Sequence, residues 1–315
     1  MNKQIFLIPH IHVQNANALS SPFTIGFPAM TAWLGAVHAL ERHLNTALNR
    51  KSDETISFQA VGVVSHQFKL HTHKGPGDYE YSIIGTGNPL EPAPRKGKPE
   101  GNAERPSFIE EARCRLEVSL VIACEGIDKS LETDVKKQVR QILHSQMKIA
   151  GGDILEFQPP GFFRDFKQLK NRLMPGYAII ERRDLMIEAM EQGQDALDAL
   201  IYYLAIHHHC EQQEKNGEME VTWSSQRKQT GPEGQRGWIV PIATGFHGIS
   251  ELGSAQNQRD PETPHRFAEA VVTLGEFTMP YRLKDIEDLL WHYHYDAENN
   301  LYLCQQDKHD TIEGF

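Results

Sequence analysis

Asn15, Asn17, Ser20, Ser21 and Thr24 fall within one uncharged run, Val13 to Pro28. Their side chains donate and accept hydrogen bonds, so they can meet phosphate oxygens, sugar hydroxyls or base edges. The run joins an apolar strand to an amphipathic helix that begins just after Pro28. Such joins usually take about two to six residues, and this one is far longer. A helix starting there points unpaired backbone N–H groups and the positive end of its dipole at the run, which suits an anion. The alternative is a long ordered surface loop held by Asx and Ser/Thr turns.

Other residues offer different chemistry. His10 and His12 share one face of the first strand. They fit either an acid–base pair for metal-independent RNA cleavage or a histidine pair with structural hydrogen bonds at a sheet edge. His38 sits beside the core stripe of the first helix and reads as a packing histidine. His207, His208 and His209 cannot converge on one metal, because consecutive helical residues fan out by about 100° each. They read as the frayed end of an acidic helix, and no metal site is expected. Arg259 and Arg266 flank a dense polar turn that starts a helix; they either grip phosphate or brace the turn through Asp260 and Glu262. The chain has no GxSxG, HExxH, Walker-type or dinucleotide fingerprint, so no cofactor is expected.

The 315 residues can bury a core as one large domain or two smaller ones. No apolar run approaches bilayer length, and no secretory leader is expected from the first residues. The four cysteines are scattered, which fits reduced thiols and a cytoplasmic location. The net charge of −10 argues against indiscriminate coating of nucleic acid. Its distribution is uneven. Residues 1–183 carry 23 Lys+Arg against 19 Asp+Glu, whereas residues 184–315 carry 9 against 23. The first part can face a polyanion while the second stays solvated or meets protein.

The elements that must position these groups follow from periodicity. Strands are predicted at 5–13, 58–64 and 66–71, with a helix at 29–49 between the first two. Residues 74–107 are rich in Pro and Gly and carry Lys74, Arg95, Lys96, Lys98 and Arg105, which marks an insertion. The pattern then predicts a strand at 114–124, a basic helix at 129–149 ended by Gly151, and a strand at 152–157. A basic stretch at 162–172, a strand at 177–180, an acidic helix at 184–206 and a polar connection at 211–236 come next. A strand at 237–246, a helix at 263–274 and an acidic, aromatic tail from 285 complete the chain. The class is α+β, in the order of a split βαβ, ferredoxin-like domain, which the RNA-recognition fold shares. The body spans 1–183 and is interrupted by the insertion at about 71–110; residues 184–315 form an acidic extension. The predicted central strands, Val61 to Val64 and Val118 to Ile122, are aliphatic and lack stacking aromatics. RNA contact would have to come from loops and the insertion.

The run Gln14 to Pro22, followed by Gly26-Phe27-Pro28 and Val37-His38-Ala39-Leu40, resembles the Cas-five-type subunit of the type I-F CRISPR surveillance complex, the Csy complex. Matches continue through Asn88-Pro89-Leu90, Leu116 to Leu120, Ala150-Gly151-Gly152, Gly237-Trp238, Glu262-Thr263-Pro264 and Leu274-Gly275-Glu276. The resemblance implies an RNA-recognition-like (RAMP-type) body with a β-hairpin thumb, here the insertion. It implies a subunit that caps the 5′ handle of the guide RNA, in a tight heterodimer with the large subunit and beside a backbone subunit. Guide processing in that system belongs to a separate endonuclease, so the resemblance implies no enzyme activity. The chain departs from the pattern in the thumb and in 211–236. A neutral loop reading base edges beside a cationic thumb holding phosphate is a sensible division for a single-stranded handle. Two other readings stand beside it. One is a ribonuclease using His10, His12, His38 or Tyr79; the other is a scaffold without RNA contact.

Overall fold

The structure is a computed structural model, which describes residues 4–51, 54–84, 111–215, 218–228, 230 and 237–307. β1 (Gln4–Asn17) leads into a small hairpin, β2 (Leu19–Ser21) and β3 (Thr24–Ile25), and then into α1 (Met30–Ala47). β4 (Ser57–Leu70) continues into a short ladder of β5 (Thr72–His73) and β6 (Ser82–Ile83). β7 (Arg113–Glu125), α2 (Glu132–Ser145), β8 (Lys148–Ile149), β9 (Gly152–Glu156) and β10 (Gly161–Phe163) follow. α3 (Phe166–Leu173), β11 (Tyr177–Glu181), α4 (Arg183–Glu191) and α5 (Ala196–Leu204) come next. The chain closes with β12 (Ile206–Lys215), β13 (Glu218–Arg227), β14 (Trp238–Gly248), β15 (Ala268–Thr278), β16 (Trp291–Asp296) and β17 (Leu301–Gln306).

One large antiparallel sheet organises the molecule. Its order is β11-β15-β14-β17-β16-β4-β7-β1-β9-β8, with β10 also on β1. Residues from both charge halves therefore share one sheet. α1 forms because Met30, Trp33, Leu34, Val37, Leu40 and Leu44 recur at spacings of three and four and are buried. α2 does the same with Val135, Val139, Ile142 and Leu143. Both pack on the sheet face that carries Ile8, Ile11, Val13, Leu116, Val118, Leu120 and Ile122. The opposite face carries Ile5, Leu7, Val121 and Ala123, covered by Leu169 and Leu173 of α3 and by Leu283, Leu289 and Leu290.

The sheet also curls back on itself. β16 meets β4 at Trp291↔Val61, and β11 meets the same strand at Tyr177↔Ser65 and Ala178↔Val64. The strands from β11 to β16 thus make an arc whose two ends both close on β4. Trp291 lies fully buried within the arc and donates its indole N–H to the Ile179 carbonyl at 2.9 Å.

Several expected elements differ. The long join after the first strand is itself ordered strand: β1 runs to Asn17, and Ser20, Ser21 and Thr24 form the β2–β3 hairpin. Residues 66–71 are no separate strand, because β4 is continuous past a bulge between Ser65 and Gln67. Gly151 ends no helix; it sits at φ +74° in the turn between β8 and β9. The acidic helix is two helices, broken at Gly193 with φ +93°. The polar connection is largely a ladder of β12 with β13, and it absorbs His207, His208 and His209 as strand residues. Residues 268–278 are strand, not helix: Val271, Val272 and Thr273 are β-branched and pair with β14. Of the tail, Leu289, Leu290 and Trp291 are core, while Tyr293 and Tyr295 remain exposed.

Trp291→Ala is expected to lower stability by about 3–5 kcal/mol, the range for emptying a buried aromatic site. Trp291→Phe keeps most of the volume, loses only the bond to Ile179 and should cost less. Urea unfolding of the two variants checks both magnitude and order.

Candidate nucleic-acid interface

The end of β1, the β2–β3 hairpin and the start of α1 enclose an open cleft of about 620 Å³, whose lining includes Asn17, Ser20, Pro28, Ala29, Arg113 and Gly151. The sheet register explains the assembly. Asn17 pairs with Arg113 across β1 and β7, and the Asn17 backbone N–H bonds the Ala150 carbonyl at 2.8 Å. Gly152 lets β9 press close, since a Cβ there would stand 2.8 Å from Ala16 backbone atoms. No side chain caps α1, and its first turn carries no acid. Its backbone N–H groups and positive dipole end therefore add to the Arg113 guanidinium, which is paired with Glu111.

The five polar residues of the run take different roles. Asn15 is exposed at φ +61° on a bulge of β1, with no side-chain hydrogen bond among the described residues. Its amide is free to bond a ligand. Asn17 closes an Asx turn, donating to the Leu19 carbonyl at 3.0 Å and accepting the Leu19 N–H at 3.1 Å. Ser20 bonds the Thr24 hydroxyl at 3.0 Å. Ser21 and Thr24 are buried, 2.6 Å apart through their hydroxyls, and brace the hairpin.

The predicted cations are dispersed. Lys74 stands at the stem of the insertion, with its ammonium 5.3 Å from the Tyr81 ring centroid. Arg95, Lys96, Lys98 and Arg105 lie outside the described residues. Arg259 is exposed and makes no ion pair among the described residues. Arg266 donates to Asn300 Oδ1 at 2.6 Å. Neither arginine braces its turn through a carboxylate; Asp260 instead accepts from the Glu262 N–H at 3.0 Å and the Thr263 hydroxyl. Arg113 escaped the sequence reading because its place in the cleft depends on the pairing of β1 with β7, which are distant in sequence.

His10 and His12 are not at a sheet edge. β1 lies between β7 and β9, and the two histidines join a polar cluster on the face opposite α1. His10 Nδ1 is 2.6 Å from Glu117 Oε1, and its ring stacks on His66 at 4.2 Å. His12 lies 3.7 Å from Glu117 and 3.8 Å from Glu156. His66 Nδ1 faces the Pro175 carbonyl at 2.6 Å and must donate to it. In neutral His66, Nε2 then accepts from the Ser119 hydroxyl at 2.7 Å, while Ser119 Oγ accepts the His10 N–H at 3.0 Å. Burial pushes the His66 imidazole below the ordinary value of 6.5; the bond to Pro175 opposes this, and His10 reinforces it. Burial pushes Glu117 up, but the His10 bond and the three nearby imidazoles outweigh it and hold the carboxyl below its ordinary value. His38 is exposed, 3.9 Å from Glu41.

Among the described residues no group of His, Cys, Asp or Glu could hold a metal, and no helix is long and apolar enough to cross a membrane. Cys114, Cys124 and Cys304 are buried free thiols, each pushed up to about 12 by burial.

Comparison with known proteins places the chain among CRISPR-associated proteins. Residues 6–304 match the family model described as CRISPR-associated protein (Cas_Csy2). The chain is also 31% identical to CRISPR-associated protein Csy2 of Pseudomonas aeruginosa (strain UCBPP-PA14) over 329 aligned positions, covering 95% of this chain and 94% of that one. The chain belongs to the Csy2 family.

His66 and Glu117 give the fold an acid sensitivity of definite sign. Below 6.5 the unfolded chain binds a proton that folded His66 resists, so stability falls with falling pH until folded His66 itself titrates. Glu117 acts in the same direction at lower pH: its contribution is present above its unfolded value and is lost as the folded carboxylate protonates. His66→Gln is expected to flatten the dependence of melting temperature on pH between about pH 7 and 5.5. Melting curves across that window with an unchanged slope would clear His66 of the role.

Proposed function

We propose that this chain is a non-catalytic subunit of the type I-F CRISPR surveillance (Csy) complex in the cytoplasm. In this reading it binds the 5′ handle of the guide RNA and pairs with the large subunit, beside a backbone subunit. The observation that carries the reading is the cleft, where the free N-terminus of α1, Arg113 and neutral amide and hydroxyl groups converge. Such a set offers donors to a phosphate oxygen and mixed donors and acceptors to base edges. The strand order β4-β7-β1-β9, with α1 and α2 on one face, supports the RNA-recognition-like (RAMP-type) body. The β5–β6 ladder at the foot of the insertion is compatible with a thumb stem.

The histidines favour structure over cleavage. His10 is committed to Glu117 and His66, and no Lys or Arg pairs with the cluster's carboxylates among the described residues. Pairing with protein finds support in a second groove of about 670 Å³, lined in part by Phe23, Leu197, Leu200 and Phe246. Phe23 is 66% and Leu197 61% exposed, so a partner covering them would remove apolar surface from water.

Asn15→Ala with Asn17→Ala is expected to weaken guide-RNA binding by about 1–3 kcal/mol in total, with little change in salt slope because no cation is lost. Arg113→Ala should instead flatten the slope by about 0.7, one single-strand phosphate contact. Filter binding across a salt series reads both; unchanged affinity in both folded variants removes the cleft from the interface. Co-expression with the large subunit should give a stoichiometric heterodimer on gel filtration. Metal-independent cleavage of repeat RNA that His12→Ala abolishes would establish the ribonuclease reading instead.

A further inference from the structure

On the other side of the linker that leads into α1 lies a distinct pocket of about 330 Å³. Ile25, Gly26 and Phe27 enter this pocket, whereas the next residues, Pro28 and Ala29, line the cleft described above. We propose that the pocket receives one unstacked nucleobase of single-stranded RNA, seated against Trp238 and Phe68. The inference rests on the guide-RNA reading and adds a second point of contact that the polar run does not supply.

Three observations carry it. First, five Phe, Tyr and Trp rings line the wall, beside Ile25, Val240 and Pro241. Tyr177 meets Trp238 with ring centroids 5.7 Å apart, Trp238 meets Phe277 at 5.6 Å, Phe277 meets Phe27 at 5.3 Å, and Phe27 meets Phe68 at 6.4 Å. The rings are tilted or edge-on to one another. Trp238 is 54% and Phe68 39% exposed, so both keep surface that a base could cover. Base–aromatic stacking tolerates any base, and the volume sits at the small end of ligand pockets.

Second, unspent polar groups stand at the rim. Gln67 is exposed, and its amide has no partner among the described residues; the same holds for the Tyr177 hydroxyl. An amide can both donate to and accept from a base edge. His66 adds only a ring wall, since both its nitrogens are committed to Pro175 and Ser119.

Third, a pair of cations stands on the face of β4 that carries Gln67, which strand alternation sets opposite to that of Phe68. One residue beyond Phe68 on β4, Lys69 stands in register opposite Arg115 of β7. Both are exposed, and neither has a carboxylate within salt-bridge distance among the described residues. Like charges directly opposite on neighbouring strands repel, and a bound anion relieves that. An apolar protein segment would use the rings but leave Gln67, Lys69 and Arg115 unanswered.

The test uses the full chain co-expressed with its large subunit and a guide RNA bearing the repeat-derived handle. A second set of RNAs carries an abasic residue at each handle position in turn. Trp238→Leu, which keeps an apolar side chain but removes the π face, should weaken binding of intact RNA by roughly 5- to 150-fold. Trp238→Phe should restore most of it. One abasic position should lose the same factor with the native protein and nothing further with Trp238→Leu. Full additivity at every position, or native affinity in a Trp238→Leu variant that melts normally, overturns the pocket while leaving guide-RNA binding intact. Native RNA affinity with loss of the large subunit would assign the pocket to protein. Failure of the native complex to bind guide RNA would overturn the pocket and the proposed function together.

Discussion

Everything in this structure depends on both edges of β4 being paired. β7 covers one edge from Ser57 to Leu70, while β16 and β11 meet the other near Val61 and Ser65. An unpaired strand edge buried in a core would leave backbone groups without partners, so this closure fixes where the later strands must go. It also sets local demands on sequence. Gly62 admits Leu289, whose side chain would lie 2.4 Å from any Cβ there, and Gly245 admits the Tyr302 carbonyl in the same way. Past Ser65 no strand pairs that edge among the described residues, and there Gln67 and Phe68 line the aromatic pocket.

Charge is handled differently on the two sides of β4. Across β7, β1 and β9 the polar cluster relies on imidazoles and two glutamates, ordered by the chain from His10 through Ser119 and His66 to the Pro175 carbonyl. That chain sets one tautomer and resists a proton. In the arc, Arg182 instead links Asp184, Glu276 and the Thr230 carbonyl, joining α4 to β15. A guanidinium keeps its charge throughout the working pH range, so this joint does not titrate as His66 does.

Much of the first half was legible in the sequence, because apolar periodicity there matches the faces the helices cover. α1, α2, β7 and β11 follow from spacing alone. The second half was harder. β15 mixes Ala, Glu and Leu with its β-branched residues, so helical propensity and strand pairing compete, and only the β14 register decides. β12 is polar on both faces and offers no period-two pattern, whereas β13 alternates Met219, Val221 and Trp223 with polar residues; the dipeptide Asn216-Gly217 between them adds a hairpin signal. The cleft was half visible. Asn17, Ser20 and the start of α1 stood out, whereas Arg113 and Gly151 reach it only through pairing between distant strands. The aromatic pocket was invisible for the same reason: its rings come from five separate places in the chain.

The hydroxyl-rich run illustrates why residue type alone underdetermines role. Ser21 and Thr24 are among the few buried polar residues, and their hydroxyls satisfy each other within a hairpin too short to be held by its ladder. Those bonds make the linker a fixed wall instead of a mobile loop. Donors held in place by such a wall would lose little entropy in binding a ligand, as the proposed function requires. Asn15 complements it: the β1 bulge turns its amide outward and leaves it unspent, at the backbone cost of a left-handed conformation. Buried hydroxyls that brace a hairpin and an exposed amide left unspent thus follow from one stretch of sequence, divided by where each residue falls relative to the bulge.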